Sequence, residues 1–260
     1  MSVLTTILHT HTFRCHHASG TEREYIEAAI ASGIKVLGFS EHAPLIFEDG
    51  HEAHYTMNYC DVEDYFNTLK NLREEYKDKI QILIGFEMEY YPKYFEENMK
   101  KLEPYGVDYL ILGQHMTQNG TSPYVGWYFG DPHILTCYVD DVIQGMKTGR
   151  FTYVAHPDLP LLDASIDIFI MEMDRLCVAA AEMKVPLEFN LQGFLKRRNY
   201  PSDILLDLIK KYNNDIVFGV DAHCAEQLAD IEGFKRAYKF LSEQYDLHPL
   251  DTIKVINPYA

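Results

Sequence analysis

Basic side chains and long apolar runs are both scarce in this chain. Its 260 residues hold 23 Lys and Arg against 39 Asp and Glu, a formal net charge of −16. A nucleic-acid partner needs a basic footprint, so that class is set aside. No apolar run reaches the ~18 residues that a membrane span requires. The amino terminus lacks the basic-then-apolar pattern of a signal peptide, so the expectation is a cytoplasmic protein with no membrane partner. Five cysteines, at 15, 60, 137, 177 and 224, form no CxxC pair and read as reduced thiols. No linker-like stretch or composition shift divides the chain, which reads as one domain over 1–260. No pattern in it fixes an oligomeric state.

Histidine is what the chain does have, and it is placed with regularity. Val3 to Leu8 is a short β-branched run followed at once by His9, Thr10 and His11, with His16 and His17 close behind. Residues two apart on a strand point the same way, so His9 and His11 can offer two imidazoles to one ion. Thr21 and Glu24 form a capping box for a first helix, which Gly33 stops.

Six more apolar runs follow, at 35–40, 81–86, 107–112, 151–155, 185–191 and 216–220. Helical patterns separate them at 61–77, 93–102, 134–147, 166–184 and 204–212, with a last helix at 226–245 and a possible closing strand at 252–256. A polar loop at 43–59 is long enough for a lid, and a second irregular stretch spans 116–132. Seven strand–helix alternations predict a parallel α/β sheet.

The residues at the strand ends decide its shape. The runs close on His9 and His11, His42, Glu87, His115, His156, then Asp221 and His223. The strand ends of an open sheet lie too far apart to share one cluster, whereas a closed barrel rings them round one mouth. The sixth strand instead delivers the basic turn Lys196-Arg197-Arg198. The reading is therefore a barrel with a metal-binding mouth, in which imidazoles and carboxylates without thiolates suit Zn, Mn or Fe.

HTH at 9–11, SEHAP at 40–44, GFE at 85–87, GQH at 113–115, AHPDL at 155–159 and DAH at 221–223 together resemble the PHP (polymerase and histidinol phosphatase) superfamily, especially its histidinol-phosphate phosphatases. The resemblance implies a distorted (β/α)7 barrel, TIM-barrel-like, with three divalent metal ions. One ion would take His9, His11, Glu87 and Asp221. A second would share Glu87 and add His115 and His156. The third would take His17, His42 and His223. His16 is then left as a supporting or solvent-facing residue.

The activity implied is hydrolysis of a small phosphorylated metabolite, L-histidinol phosphate in histidine biosynthesis. The nucleophile would be a metal-bridging hydroxide, since coordination can lower a water pKa from ~15.7 to about 7. Asp221 or His223 would manage protons, and the ions would offset the repulsion between an acidic chain and a phosphate. The family's phosphate-binding arginine falls on Arg197 or Arg198. Asp158 could orient an imidazole or water, or cap a turn. Glu48, Asp49, His51 and His54 could draw in an amine, while Tyr91, Trp127 and Tyr128 could wall the pocket. His133 and His248 read as surface residues. The alternatives are another small phosphate ester as substrate, or a non-catalytic metal-binding PHP module. A carbon–nitrogen hydrolase is disfavoured, because such barrels usually bridge their metals with a lysine where this chain has Glu87.

Overall fold

The computed structural model describes residues 4–48, 50, 52–127, 131–160 and 165–260. Its strands are β1 (Thr6–Ile7), β2 (Val36–His42), β3 (Gln81–Met88), β4 (Tyr109–Leu112), β5 (Leu187–Asn190) and β6 (Ile216–Gly219). The helices are α1 (Glu22–Ala31), α2 (Val62–Tyr76), α3 (Phe95–Leu102), α4 (Pro132–Lys147), α5 (Ile166–Met183), α6 (Leu191–Leu195), α7 (Asp203–Tyr212) and α8 (Ile231–Phe240). All strand pairs are parallel, in the orders β1-β2-β3-β4 and β5-β6.

Two narrow seams join those sheets into a ring. Val154 bridges Leu112 on one side and Leu187 on the other, and Thr10 bridges Ala222. The expected strand at 151–155 is thus reduced to an extended stave. Thr152 N–H donates to Leu110 O, Ala155 N–H to Leu112 O and Val154 N–H to Pro186 O. At the other seam His11 N–H donates to Ala222 O at 2.8 Å. The fold is a TIM-barrel-like α/β ring whose distortion is concentrated at these two seams.

Packing follows the two-residue period. Ile7, Leu37, Phe39, Ile82, Ile84, Leu110, Leu187 and Phe218 face the helices as part of the large core. Leu8, Tyr109, Ile111, Tyr153, Ala155 and Val217 form a separate cluster inside the ring, against which Val36 and Leu83 also pack.

Helix ends are placed as the sequence dictates. The Thr21–Glu24 capping box is present, and Ser202 and Asp230 accept N-cap bonds for α7 and α8. Two expectations need correction. Residues 252–256 form no strand; Ile253 and Val255 instead pack against the interior cluster and Ile256 N–H reaches Thr152 Oγ1. The last helix is also broken, with a 3-10 turn at Ala225–Ala229 before α8, because Asp230 caps a new start there.

Candidate functional site

The alternation that fills the ring also aims part of the site, while His9, His11 and His156 lie past the ends of the regular pairing. Val36 and Leu83 point inward, so His42 and Glu87, an even number of residues further on, point inward at the strand ends. Asp221 lies two residues past β6 with a left-handed backbone, φ +51°. Glu87 needs extra room: a Cβ at Gly113 would lie 1.9 Å from its Oε1.

Glu87, 2% exposed, sits at the centre. Its Oε2 is 3.4 Å from His9 Nε2, 3.3 Å from His11 Nε2 and 3.0 Å from His42 Nδ1. Its Oε1 is 2.8 Å from His156 Nε2 and 3.6 Å from His115 Nε2. Asp221 Oδ1 lies 3.6 Å from His9 Nε2 and 3.5 Å from His11 Nε2. The two carboxylate oxygens of Glu87 therefore divide the imidazoles into His9, His11 and His42 on one side and His115 and His156 on the other, with His42, expected at the third ion, closest to Oε2.

Those spacings discriminate between hydrogen bonding and ligation. The four edges among His9, His11, Glu87 and Asp221, at 3.3–3.6 Å, exceed a good hydrogen bond. They approach the roughly 3.3 Å edge of a tetrahedron whose N and O corners are ~2.0–2.1 Å from its centre. Among the described residues, His9 Nε2, both His11 ring nitrogens and Glu87 Oε2 are buried with no hydrogen-bond partner, a costly state for polar atoms. A divalent cation would satisfy His9 Nε2, His11 Nε2 and Glu87 Oε2, so the donor set fits such an ion.

The third expected corner is looser. The His17 ring centroid is 5.2 Å from that of His42 and 5.1 Å from that of His223. His11 is closer to both, at 4.3 and 4.7 Å, so the imidazoles form a continuous cluster. His17 Nδ1 lies 2.6 Å from Cys15 O, leaving Nε2 for the site. His16, in a left-handed cap, is exposed at the cleft edge.

Charge follows burial and neighbours. Burial opposes ionisation of Glu87 and Asp221, but the surrounding rings outweigh it and hold both well below the usual carboxylate range. Burial and neighbouring rings lower His11, and bring His17 down to about 4. Burial lowers His42 too, against the pull of Glu87. For His9 and His115 nearby carboxylates prevail over burial; His9 is raised well above its ordinary value and His115 to about 8. The ionised acids and the lowered rings of His11, His17 and His42 are in the states that ligation requires, whereas His9 and His115 would release a proton as an ion bound.

The substrate-side expectations divide. Arg198 lines the cleft and donates to Tyr200 Oη at 2.9 Å. Arg197 has φ +53° and is exposed, outside the lining. Of the two readings of Asp158, the geometry matches the cap: it is buried outside the cleft lining, and its Oδ2 accepts from Ser202 N–H at 2.6 Å. It braces the turn that carries Arg198. Glu48 pairs with Lys93 at 2.7 Å, whereas His54 lines the cleft. Asp49, His51 and Tyr128 lie outside the described residues. Tyr91 is buried beneath Leu45 and Ala53, while Trp127 stands 82% exposed at the rim. The cleft, of about 820 Å³, is walled further by Tyr55, Tyr124 and Tyr200, with Lys196 beside Arg198.

Three acids escaped the sequence reading of the site. Glu188 lies 2.7 Å from His9 Nδ1. Glu89 accepts from His115 N–H at 2.9 Å, from Tyr55 Oη at 3.0 Å and from Tyr91 Oη, and its Oε1 is 3.2 Å from His115 Nδ1. Glu41 accepts 2.6 Å bonds from Thr12 N and Oγ1, and burial pushes its carboxyl up to about 8. The available signal was an acid inside a buried run, as in VPLEFN, since such a charge is seldom buried without a partner.

Residues 8–192 match the family model of the PHP domain. The histidinol-phosphatase of Bacillus subtilis strain 168 is 29% identical over 252 residues, covering 84% of this chain and 92% of that one. The histidinol-phosphatase of Lactococcus lactis subsp. lactis is 27% identical over 237 residues, covering 83% and 84%. Among solved structures, the Lactococcus lactis histidinol phosphate phosphatase complexed with zinc, L-histidinol and phosphate superposes with a TM-score of 0.73 at 21% identity. That likeness covers 96% of this chain and 97% of that one.

Proposed function

The chain belongs to the PHP domain family, and from that premise we propose that it is a metal-dependent phosphate monoester hydrolase acting on L-histidinol phosphate. The observation that carries the reading is the set of 3.3–3.6 Å edges joining His9, His11, Glu87 and Asp221 around unpartnered buried atoms. The two bacterial histidinol-phosphatases, matched over most of their length, support the substrate.

Three divalent ions (Zn, Mn or Fe) are proposed, held by His9, His11, Glu87 and Asp221, by Glu87, His115 and His156, and by His17, His42 and His223. Such ions, when bound, lower the pKa of a coordinated water and neutralise phosphate charge. The chain's own residues do the rest. Arg198 holds phosphate oxygens with its planar fork. Its hydrogen bond to Tyr200 Oη restrains that fork over the mouth. Asp221 and His223, 3.3 Å apart, move the proton needed at the leaving alkoxide. Tyr124 and Trp127, with ring centroids 5.2 Å apart, form an apolar wall for an imidazole-sized group. Arg197 and Asp158 are left without substrate contact in this reading.

No helix among the described residues is long and apolar enough to cross a membrane, and we place the enzyme in the cytoplasm, with residues 1–260 read as a single domain. Initial rates on a panel of phosphorylated metabolites test the substrate. The expected result is fastest turnover of L-histidinol phosphate; equal or faster turnover of sugar phosphates would reject it.

A further inference from the structure

Strand β5 brings a second layer to the site. Glu188, 1% exposed, has Oε1 2.7 Å from His9 Nδ1. Its Oε2 accepts from His156 N–H at 2.8 Å and from Asn190 Nδ2 at 2.9 Å. The same Asn190 amide lies 3.3 Å from Asp221 Oδ2. One buried carboxylate thus touches two residues of the central cluster directly and a third through one amide.

We propose that Glu188 is a positioning residue that fixes the tautomer and direction of His9 and ties the first proposed ion site to the second. The inference rests on the metallohydrolase reading above. A carboxylate that accepts from Nδ1–H leaves the lone pair of the ring on Nε2. In His9 that nitrogen is the unpartnered atom facing Glu87 and Asp221. A charge this deep needs compensation, and among the described residues its one ion-pair partner is His9. Positive charge at the His9 site supplies what a lysine or arginine would supply elsewhere.

The neighbouring strand is shaped for this role. Gly219 pairs with Asn190 across the β5–β6 ladder, and a Cβ there would lie 1.5 Å from Glu188 Oε1. Glycine at 219 gives Glu188 the room that Gly113 gives Glu87. Any larger residue at 219 must displace the carboxylate from His9.

The test uses the full chain and two substitutions, Glu188→Gln and Gly219→Ala. Glutamine keeps the size, but its single carbonyl cannot accept at both His9 and the His156 backbone. Alanine keeps the acid and moves it. Zn²⁺ affinities come from competition with a chelating indicator, and the cobalt-loaded proteins give a visible spectrum that reports His9 coordination. Each variant is expected to bind one or two ions about 10- to 100-fold more weakly, with an altered cobalt spectrum. The remaining ion, at the His17, His42 and His223 corner, is expected to keep its affinity. Unchanged affinities and spectra in both variants would overturn the proposal.

Should the variants fail to fold, the nitrogen-15 tautomer of His9 in the parent protein decides. A proton on Nδ1 supports the role, and a bare Nδ1 overturns it. A parent protein that takes up no ion removes the metallohydrolase reading itself. One that binds ions indifferently to residues 188 and 219 removes only this inference.

Discussion

The floor and the rim of the cleft are built on different terms. On the floor His9 and His11 are wholly buried, Glu87, His156 and Asp221 are at most 6% exposed, and most sit at or just beyond strand ends. Behind them stand Glu188 and Asn190, then the interior cluster of the ring. The rim is loop: Trp127 is 82% exposed, and Lys196, Arg197, Arg198 and His54 are solvent-facing. The floor is held by packing and hydrogen bonds on buried side chains, while the named rim residues stand exposed on loops. Chemistry on the floor can therefore stay fixed while specificity at the rim changes with loop sequence.

That contrast is broken most severely by removing the floor's ligands. His9→Ala or Asp221→Ala is expected to abolish turnover while far-ultraviolet circular dichroism stays that of the folded ring; the urea midpoint falls, because each variant loses bound ion and His9→Ala also leaves buried Glu188 without its partner. Unfolding of both variants would mean the floor is a structural core rather than a site. Chelation of the whole protein should also abolish turnover and lower Tm, since a ligand bound only by the folded state stabilises it. Re-addition of Zn²⁺ or Mn²⁺ should restore both.

Smaller effects belong to the rim. Arg198→Ala should lower kcat/KM by about 10- to 100-fold, the worth of a charge-assisted hydrogen bond, chiefly through KM. Arg197→Ala, outside the lining, should change it less than about two-fold. Equal losses in steady-state assays would erase the distinction between the two arginines.

The smallest expected effect concerns the brace behind the rim. Burial pushes the Asp158 carboxyl up to about 6, above its unfolded value of about 3.9. The folded state then binds more protons between those values, so Asp158 contributes stability at low pH that is lost as pH rises through about 6. Asp158→Asn keeps an acceptor for Ser202 N–H and should flatten that slope. Urea midpoints from pH 4 to 7 measure it, and an unaltered slope would contradict the assignment.

Much of the floor could be read from the chain because the end of a strand fixes which rim of the ring a residue reaches. HTH, SEHAP, GFE, AHPDL and DAH place their polar residues one to three positions past the end of an apolar run, and the ring gathers them. Glu188 was obscured because it lies within the apolar run rather than after it, where pairing with His9 is visible only once β5 and β1 are both in place. The two arginines were indistinguishable in sequence, since the left-handed backbone at Arg197 sends neighbours to different sides. The stave at 151–155 and the segment at 252–256 share the apolar alternation of strands. Regular pairing at those positions depends on the two seams, and nothing local encodes the seams.

The central claim is that residues from 9 to 223 hold a working set of cations at one mouth. Elemental analysis of the purified chain, paired with turnover of L-histidinol phosphate before and after chelation, tests it most directly. The account predicts three divalent ions per chain and activity that falls and returns with them. Full activity in a metal-free chain would contradict it.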